Sequence, residues 1–194
     1  IMTYGIGNLF LRDKESRLAG TDRESMKTTA LLFGLDLDYV SLTLPRIPCA
    51  EEAEKITALA ELCSENFADY NAERMARLIK KRMSSGEIFV IEHKNNIAGF
   101  IMFSKKNKTI DHIAVSPDYR RIGIASRLMV TAMAQFEVGE ELSAVTFRQE
   151  HPMSDGVSRM YKKFGFDDEK NIVVRGEPLV KRTAVVPEKA IITE

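Results

Sequence analysis

From residue 39 onward the apolar positions switch between a two-residue and a three-to-four-residue period. Tyr39 to Leu44 alternates and is rich in β-branched residues, which predicts a strand broken by Pro45 and Pro48. Ile56, Leu59, Ala60, Cys63 and Phe67 recur at helical spacing, as do Ala72, Met75, Ala76, Ile79 and Met83, and Gly86 closes the second run. Two strands follow, 88–92 and 97–103, with Lys94-Asn95-Asn96 as the turn of a hairpin. Thr109 to Val115 reads as a strand ended by Pro117. Ala125, Leu128, Met129, Ala132, Met133 and Phe136 mark one face of a long helix from about Arg121. A strand over 142–147, a helix over 154–164 stopped by Gly165, and strand-like runs at 172–174 and 183–186 complete the pattern. Strand, two helices, three strands, helix, strand, helix, strands is the order of an α/β (α+β) domain with a mixed central sheet flanked by helices.

Residues 1–38 lie before this pattern and are expected to form an N-terminal extension, leaving 39–194 as the functional domain. Asp22 is placed to cap a helix ending near Gly34. Its Ala30-Leu31-Leu32-Phe33 cluster is too apolar to stay in water, so it is expected to dock on the domain or on a second copy, which would make a homodimer.

Composition narrows the function classes. The 194 residues are 44% hydrophobic and 29% charged, the balance of a globular domain. Twenty-eight basic residues face 28 acidic ones, for a net charge of zero. That argues against a nucleic-acid partner, which needs a basic excess. No apolar run reaches the ~18 residues of a membrane span, and charged residues from Arg12 to Arg17 interrupt any leader-like stretch. A cytoplasmic protein without a membrane partner is expected. Cys49 and Cys63 form no paired motif, and His93, His112 and His151 are scattered, so no metal site is expected. Cys63 falls on an apolar helix face and reads as a buried free thiol.

The chemistry concentrates in Ile113-Ala114-Val115-Ser-Pro-Asp-Tyr-Arg120-Arg121-Ile122-Gly123-Ile124-Ala125. A buried strand ends at Val115, a loop follows, and a helix opens. The first turn of a helix carries free N–H groups at a positive dipole end. Gly123 has no Cβ and Ala125 is small, so a ligand can approach the backbone there, with Arg120 and Arg121 adding charge. This is a pyrophosphate cradle of main-chain donors. A string R/Q-x-x-G-x-G/A arises by chance roughly once per thousand positions, but here it follows V-x-P and opens the best amphipathic helix of the chain. Other phosphate loops do not fit: no G-x-x-x-x-G-K-S/T is present, and Gly5-Ile6-Gly7 is an isolated G-x-G.

The Arg120 to Ala125 string after Ile113-Ala-Val-Ser-Pro resembles the coenzyme A signature of the GNAT superfamily of N-acetyltransferases, and Tyr161-Lys-Lys-Phe-Gly-Phe166 resembles its Y-x-x-x-G-F element. The resemblance covers about 39–175. It implies a GNAT-like fold, acetyl-CoA as cosubstrate and transfer of its acetyl group to a primary amine of a small molecule or protein. Two other readings stay open: a CoA-binding sensor without turnover, and an acyltransferase using a longer acyl-CoA. By resemblance, Ile113, Ala114 and Val115 line the cofactor, Arg120 to Ala125 and Ser126 hold its pyrophosphate, and Tyr161 protonates the leaving thiolate. Where many relatives have Asn and Ala, seven and four residues before the tyrosine, this chain has Ser154 and Val157, and Ser154 takes the place of the Asn toward the pantetheine arm.

An amine of ordinary pKa about 10.4 must lose a proton before it attacks. Glu92, His93, Asp111 and His112 are candidate bases on predicted strands, and alternation allows at most one of each adjacent pair to face a cleft. Each is also readable as an ordinary solvated or hydrogen-bonded strand residue, and a water chain can replace them. Glu150 and His151 are placed to border the acceptor.

Overall fold

The computed structural model describes residues 44–148 and 154–188. The segment before Leu44, with its expected helix and most of its expected strand, lies outside these residues, as do Glu150 and His151.

Two helices come first, α1 (Ala53–Leu62) and α2 (Ala72–Ser85). The apolar spacing that ran on to Phe67 does not continue as helix. Cys63 ends α1, a 3₁₀ turn spans Ser64–Asn66, and Phe67 is extended. α2 has both of its termination signals. The Asn71 side chain accepts from the Arg74 N–H at 2.9 Å, and Gly86 at φ 66° caps the far end, with the Glu87 N–H bonding back to the Arg82 carbonyl.

The sheet begins with β1 (Ile88–His93), β2 (Asn96–Ser104) and β3 (Thr109–Val115), consecutive and antiparallel. α3 (Ile124–Met133) then crosses to β4 (Glu141–Phe147), which is parallel to β3. α4 (Ser154–Lys163) leads to the hairpin of β5 (Asp168–Val174) and β6 (Glu177–Val185). Among the described residues the sheet is six-stranded, in the order β1-β2-β3-β4-β6-β5. The mixed sheet with helices on both sides bears out the expected fold class. β5 starts earlier than its apolar run, because 168–171 are polar and gain their strand geometry from pairing with β6.

Two apolar clusters cover the two faces. Ile56, Leu59, Cys63, Met75 and Ile79 of the α1–α2 layer pack on Ile88, Val90, Phe100, Met102 and Ala114. Ile124, Leu128, Met129 and Met133 of α3, with Tyr161 and Phe166, pack on Phe89, Ile101, Phe103, Ile110, Leu142 and Ala144. β2 is buried along nearly its whole length, between the two layers.

A candidate acyl-transfer site where two strands part

β3 and β4 pair through only two positions, Thr109 with Ser143 and Ile110 with Ala144. Beyond them both strands continue, to Val115 and Phe147, without pairing to each other, while each stays paired on its far edge, β3 with β2 and β4 with β6. A parallel pair that stops midway leaves main-chain donors and acceptors facing the gap. The parting coincides with an irregularity in β3. Met102 pairs with His112 and Phe103 with Ile110, so Asp111 is an extra residue with no partner on β2. This is a β-bulge, and it flips the alternation: Ile110 joins the α3 layer, whereas Ala114 joins the α1–α2 layer. The bulge also sends the adjacent Asp111 and His112 both toward the α1–α2 side. Asp111 reaches Arg82 of α2, and His112 packs edge-on against Phe67 at a ring distance of 5.2 Å.

Downstream of the gap, α3 begins at Ile124, later than the expected start near Arg121. Arg121 (φ 70°) and Gly123 (φ 85°) are both left-handed, which turns the loop into the helix. The left-handed region is costly for Arg121 and open to glycine. By helix geometry the N–H groups of Gly123, Ile124, Ala125 and Ser126 lack intrahelical acceptors, and no side chain caps them. The first helical bond is from the Arg127 N–H to the Gly123 carbonyl, at 3.1 Å. Arg127 folds back to donate to the Ile122 carbonyl at 2.9 Å, and a Cβ on Gly123 would sit 3.4 Å from its guanidinium. Gly123, Arg121 and Ile122 are exposed, so the free amides open outward.

Arg120 does something different from its neighbours. Its Nε donates to the Val115 carbonyl at 3.1 Å, its Nη2 is buried without a partner among the described residues, and it lies against Cys63, whose thiol is 3.6 Å from the same carbonyl. Burial pushes the Cys63 thiol up, and Arg120 works the other way. Both cysteines are free. Ile113 and Val115 are half-buried against the α3 layer, and Ala114 is buried against α1–α2.

Tyr161 sits on α4, 3% exposed, with its ring edge-on to Phe166 at 5.2 Å. The Phe164 and Phe166 N–H groups both return to its carbonyl, so the Gly-Phe tail folds back over the tyrosine. Burial raises its pKa, the Asp111 charge adds to this, and Arg182 opposes it, so the phenol is firmly protonated at neutral pH. Ser154 opens α4.

The candidate bases separate by their partners. Arg46 donates from its Nε to Glu92 at 3.1 Å, and its two Nη groups reach Glu52 at 2.7 and 2.6 Å, a buried ionic cluster at the edge of β1. Asp111 takes two hydrogen bonds from Arg82. The Nδ1 atoms of His93 and His112 are buried without partners among the described residues. His93 packs on Tyr119 at 5.3 Å, beyond the end of β3. Burial lowers the His112 pKa, as does Arg82, while Asp111 raises it, which leaves a neutral imidazole.

Three contributors had weak sequence signals. A Cβ on Gly99 would lie 2.8 Å from Ile124 Cγ2 and 3.0 Å from the Ala114 carbonyl, so this glycine lets the first turn of α3 sit against β2. Its trace in the sequence is a lone glycine inside an apolar strand. Arg182, buried on β6, donates to Thr146 of β4 at 3.0 Å and to Ser158 of α4 at 2.7 Å, fixing the helix that carries Tyr161. Arg82 is the third. Nothing in the surface-like Lys80-Lys81-Arg82 run marks Arg82 for burial.

Residues 84–168 match the family model of the acetyltransferase (GNAT) domain. No curated protein matches the chain. Among solved structures, a GNAT-family acetyltransferase from Bacillus cereus superposes with a TM-score of 0.58 at 17% identity, covering 73% of this chain and 96% of that one. A putative GNAT acetyltransferase from Desulfovibrio desulfuricans gives 0.59 at 16% identity, over 74% and 97%. A putative acetyltransferase from Salmonella typhimurium, solved with its cofactor acetyl-CoA, gives 0.55 at 14% identity, over 77% and 97%. No described helix is long and apolar enough to cross a membrane. Residues 84–168 are thus similar in sequence to the acetyltransferase (GNAT) domain, and about three quarters of the chain shares the fold of GNAT-family structures.

Proposed function

We propose that the protein is an acetyl-CoA-dependent N-acetyltransferase acting on a primary amine. The observation that carries this reading is the parting of β3 from β4 just after Ile110 and Ala144, with the uncapped first turn of α3 beyond the end of β3. An extended arm fits between unpaired strand edges, and a diphosphate fits the amides of Gly123 to Ser126. A side chain at Gly123 would intrude on that cradle, and its positive φ is one glycine adopts at low cost. Bound there, acetyl-CoA supplies an activated acetyl thioester.

The chain's own groups then have distinct tasks. A main-chain N–H on the gap-facing edge of β3, past Ile110, stabilises the charge that develops on the thioester oxygen when the amine nitrogen attacks its carbon. The C–N bond forms and the C–S bond breaks. Tyr161 donates its proton to the departing sulfur, which its protonated state allows. Of the four candidate bases, His112 is the one on β3 whose ring nitrogen is not held by an arginine, and we assign it the amine's proton. The Arg120 side chain serves the site by bracing the Val115 carbonyl at the end of β3.

Calorimetric titration with acetyl-CoA, followed by thiol release in the presence of a panel of primary amines, tests this. Saturable binding and amine-dependent thiol release are expected. Binding without release across the panel would favour a CoA-sensing module, and no binding would remove the reading.

A further inference from the structure

The bulge that parts the two strands is held from behind by a buried ionic cluster that belongs to neither strand's ladder. Arg82, in the last turn of α2, is only 7% exposed. Its Nε and Nη2 both donate to one carboxylate oxygen of Asp111, at 2.9 and 2.6 Å. The other oxygen accepts from Thr109 Oγ1 at 2.6 Å, so the carboxylate is tied on both sides of the bulge. Arg82 Nη1 donates to Glu87, which also accepts from Ser85 Oγ at 2.8 Å and from the Lys105 N–H at 2.7 Å. The Glu87 carbonyl takes the N–H of Phe103, which pairs with Ile110, the residue just before the bulge. The cluster thus grips β2 and β3 on either side of Asp111.

We infer that Arg82 is a positioning residue for acyl transfer: by fixing Asp111 in the bulge it holds β3 away from β4 and keeps the slot between them open. The inference rests on the reading of that slot as the acetyl-CoA site. Its physical basis is register. Without the extra residue, β3 past Ile110 would return to simple alternation and could continue its ladder with β4. Two carboxylates on one arginine would be an expensive arrangement to bury for stability alone, and apolar residues could fill the same volume. The cluster's place at the point of parting gives it a task that apolar packing would not perform.

The test uses the full chain with Arg82→Met, Arg82→Lys and Asp111→Asn, and two readouts: calorimetric affinity for acetyl-CoA, and backbone hydrogen exchange with and without it. In the wild type, the amides of 112–115 and 145–147 that face the gap, not those bonded to β2 and β6, should exchange quickly when free and become protected on binding. Arg82→Met should protect both segments in the free protein and weaken acetyl-CoA binding at least tenfold. Arg82→Lys keeps the charge but loses the fork, and should fall between the two. A purely structural role would raise exchange broadly and leave these segments no more protected than the rest. If Arg82→Met does not fold, Asp111→Asn carries the same expectations at smaller size. A folded variant with wild-type exchange at 112–115 and affinity within twofold would overturn the inference. Failure of the wild type to bind acetyl-CoA would instead overturn the reading of the slot, while free-state exchange would still report whether Arg82 holds the strands apart.

Discussion

Arg175, in the turn between β5 and β6, donates to the Asp69 carboxylate at 3.1 Å, across 106 residues of chain. The strand register gives this contact its place. β6 begins beside the end of β4, since Leu179 pairs with Phe147, so the turn stands at the open end of the gap. Asp69 lies between α1 and α2, two residues after the Phe67 ring that packs on His112. Arg74 also donates to Asp69, at 2.9 Å. The pair therefore bridges the α1–α2 loop and the far hairpin across the mouth of the candidate site.

Both partners of this bridge are well exposed, so its contribution to stability should be small, under about 1 kcal/mol. Arg175→Ala should leave the urea midpoint nearly unchanged. Hydrogen exchange over 64–70 should quicken, and raising salt in the wild type should reproduce part of the effect. A stability loss of several kcal/mol would mean the loop is held by this contact and not by Phe67 and Tyr70.

Gly99 and Gly123 separate packing from ligand contact. Gly99→Ala drives a Cβ to 2.8 Å from Ile124 and 3.0 Å from the backbone of Ala114, and backbone cannot step aside cheaply. A loss of about 1–3 kcal/mol is expected on chemical denaturation. Gly123→Ala meets nothing closer than 3.4 Å, and its cost is the left-handed backbone, about 1–2 kcal/mol. Gly123→Glu adds a negative charge at the cradle and should abolish most acetyl-CoA binding with the fold intact by circular dichroism. Unchanged affinity in that variant would remove the first turn of α3 from the binding argument.

Stability should depend on acid through Glu52. Burial alone would raise its pKa, but hydrogen bonds from Arg46 and from the Cys49 N–H outweigh this and hold it at about 2, against an ordinary 4.5. A depressed carboxyl stabilises the folded state above its unfolded pKa, and this stability is lost as pH falls from about 4.5 toward 2. A shift of that size is on the order of 3 kcal/mol, so Glu52→Gln should lower unfolding free energy at neutral pH by a few kcal/mol. It should also flatten the dependence between those pH values in urea titrations. An equally steep acid limb in the variant would assign that limb to other carboxylates, Glu87 among them.

The sequence made the order of elements legible because each strand and helix carries its own apolar period, and the two motifs lie on the page as contiguous strings. What it hid was set by tertiary contact. The bulge at Asp111 is a pairing event between β2 and β3, which the adjacent polar pair Asp111-His112 does not mark by itself. The α3 start moved to Ile124 because Arg121 and Gly123 both take left-handed backbone, and only the glycine advertises it. The position of Arg120 in the string places it with the cradle, whereas its side chain turns toward Val115 and Cys63. Arg82 and Arg182 look like surface residues until their partners, 29 and 36 residues away, fold over them.

Removing the Tyr161 hydroxyl should separate chemistry from packing. The ring is buried against Phe166 and the α3 layer, and Phe would keep those contacts. The melting temperature should therefore change little. Its pKa lies above 10 because burial opposes the phenolate, an effect the Asp111 charge strengthens, so it stays a proton donor throughout the neutral range. Tyr161→Phe should therefore keep acetyl-CoA affinity and lower the single-turnover rate with a saturating amine by about 10²- to 10⁴-fold. The loss should shrink toward low pH if solvent can reach the sulfur, because hydronium then substitutes for the phenol. A variant with the wild-type single-turnover rate would return Tyr161 to a packing role, with the thiolate protonated by water.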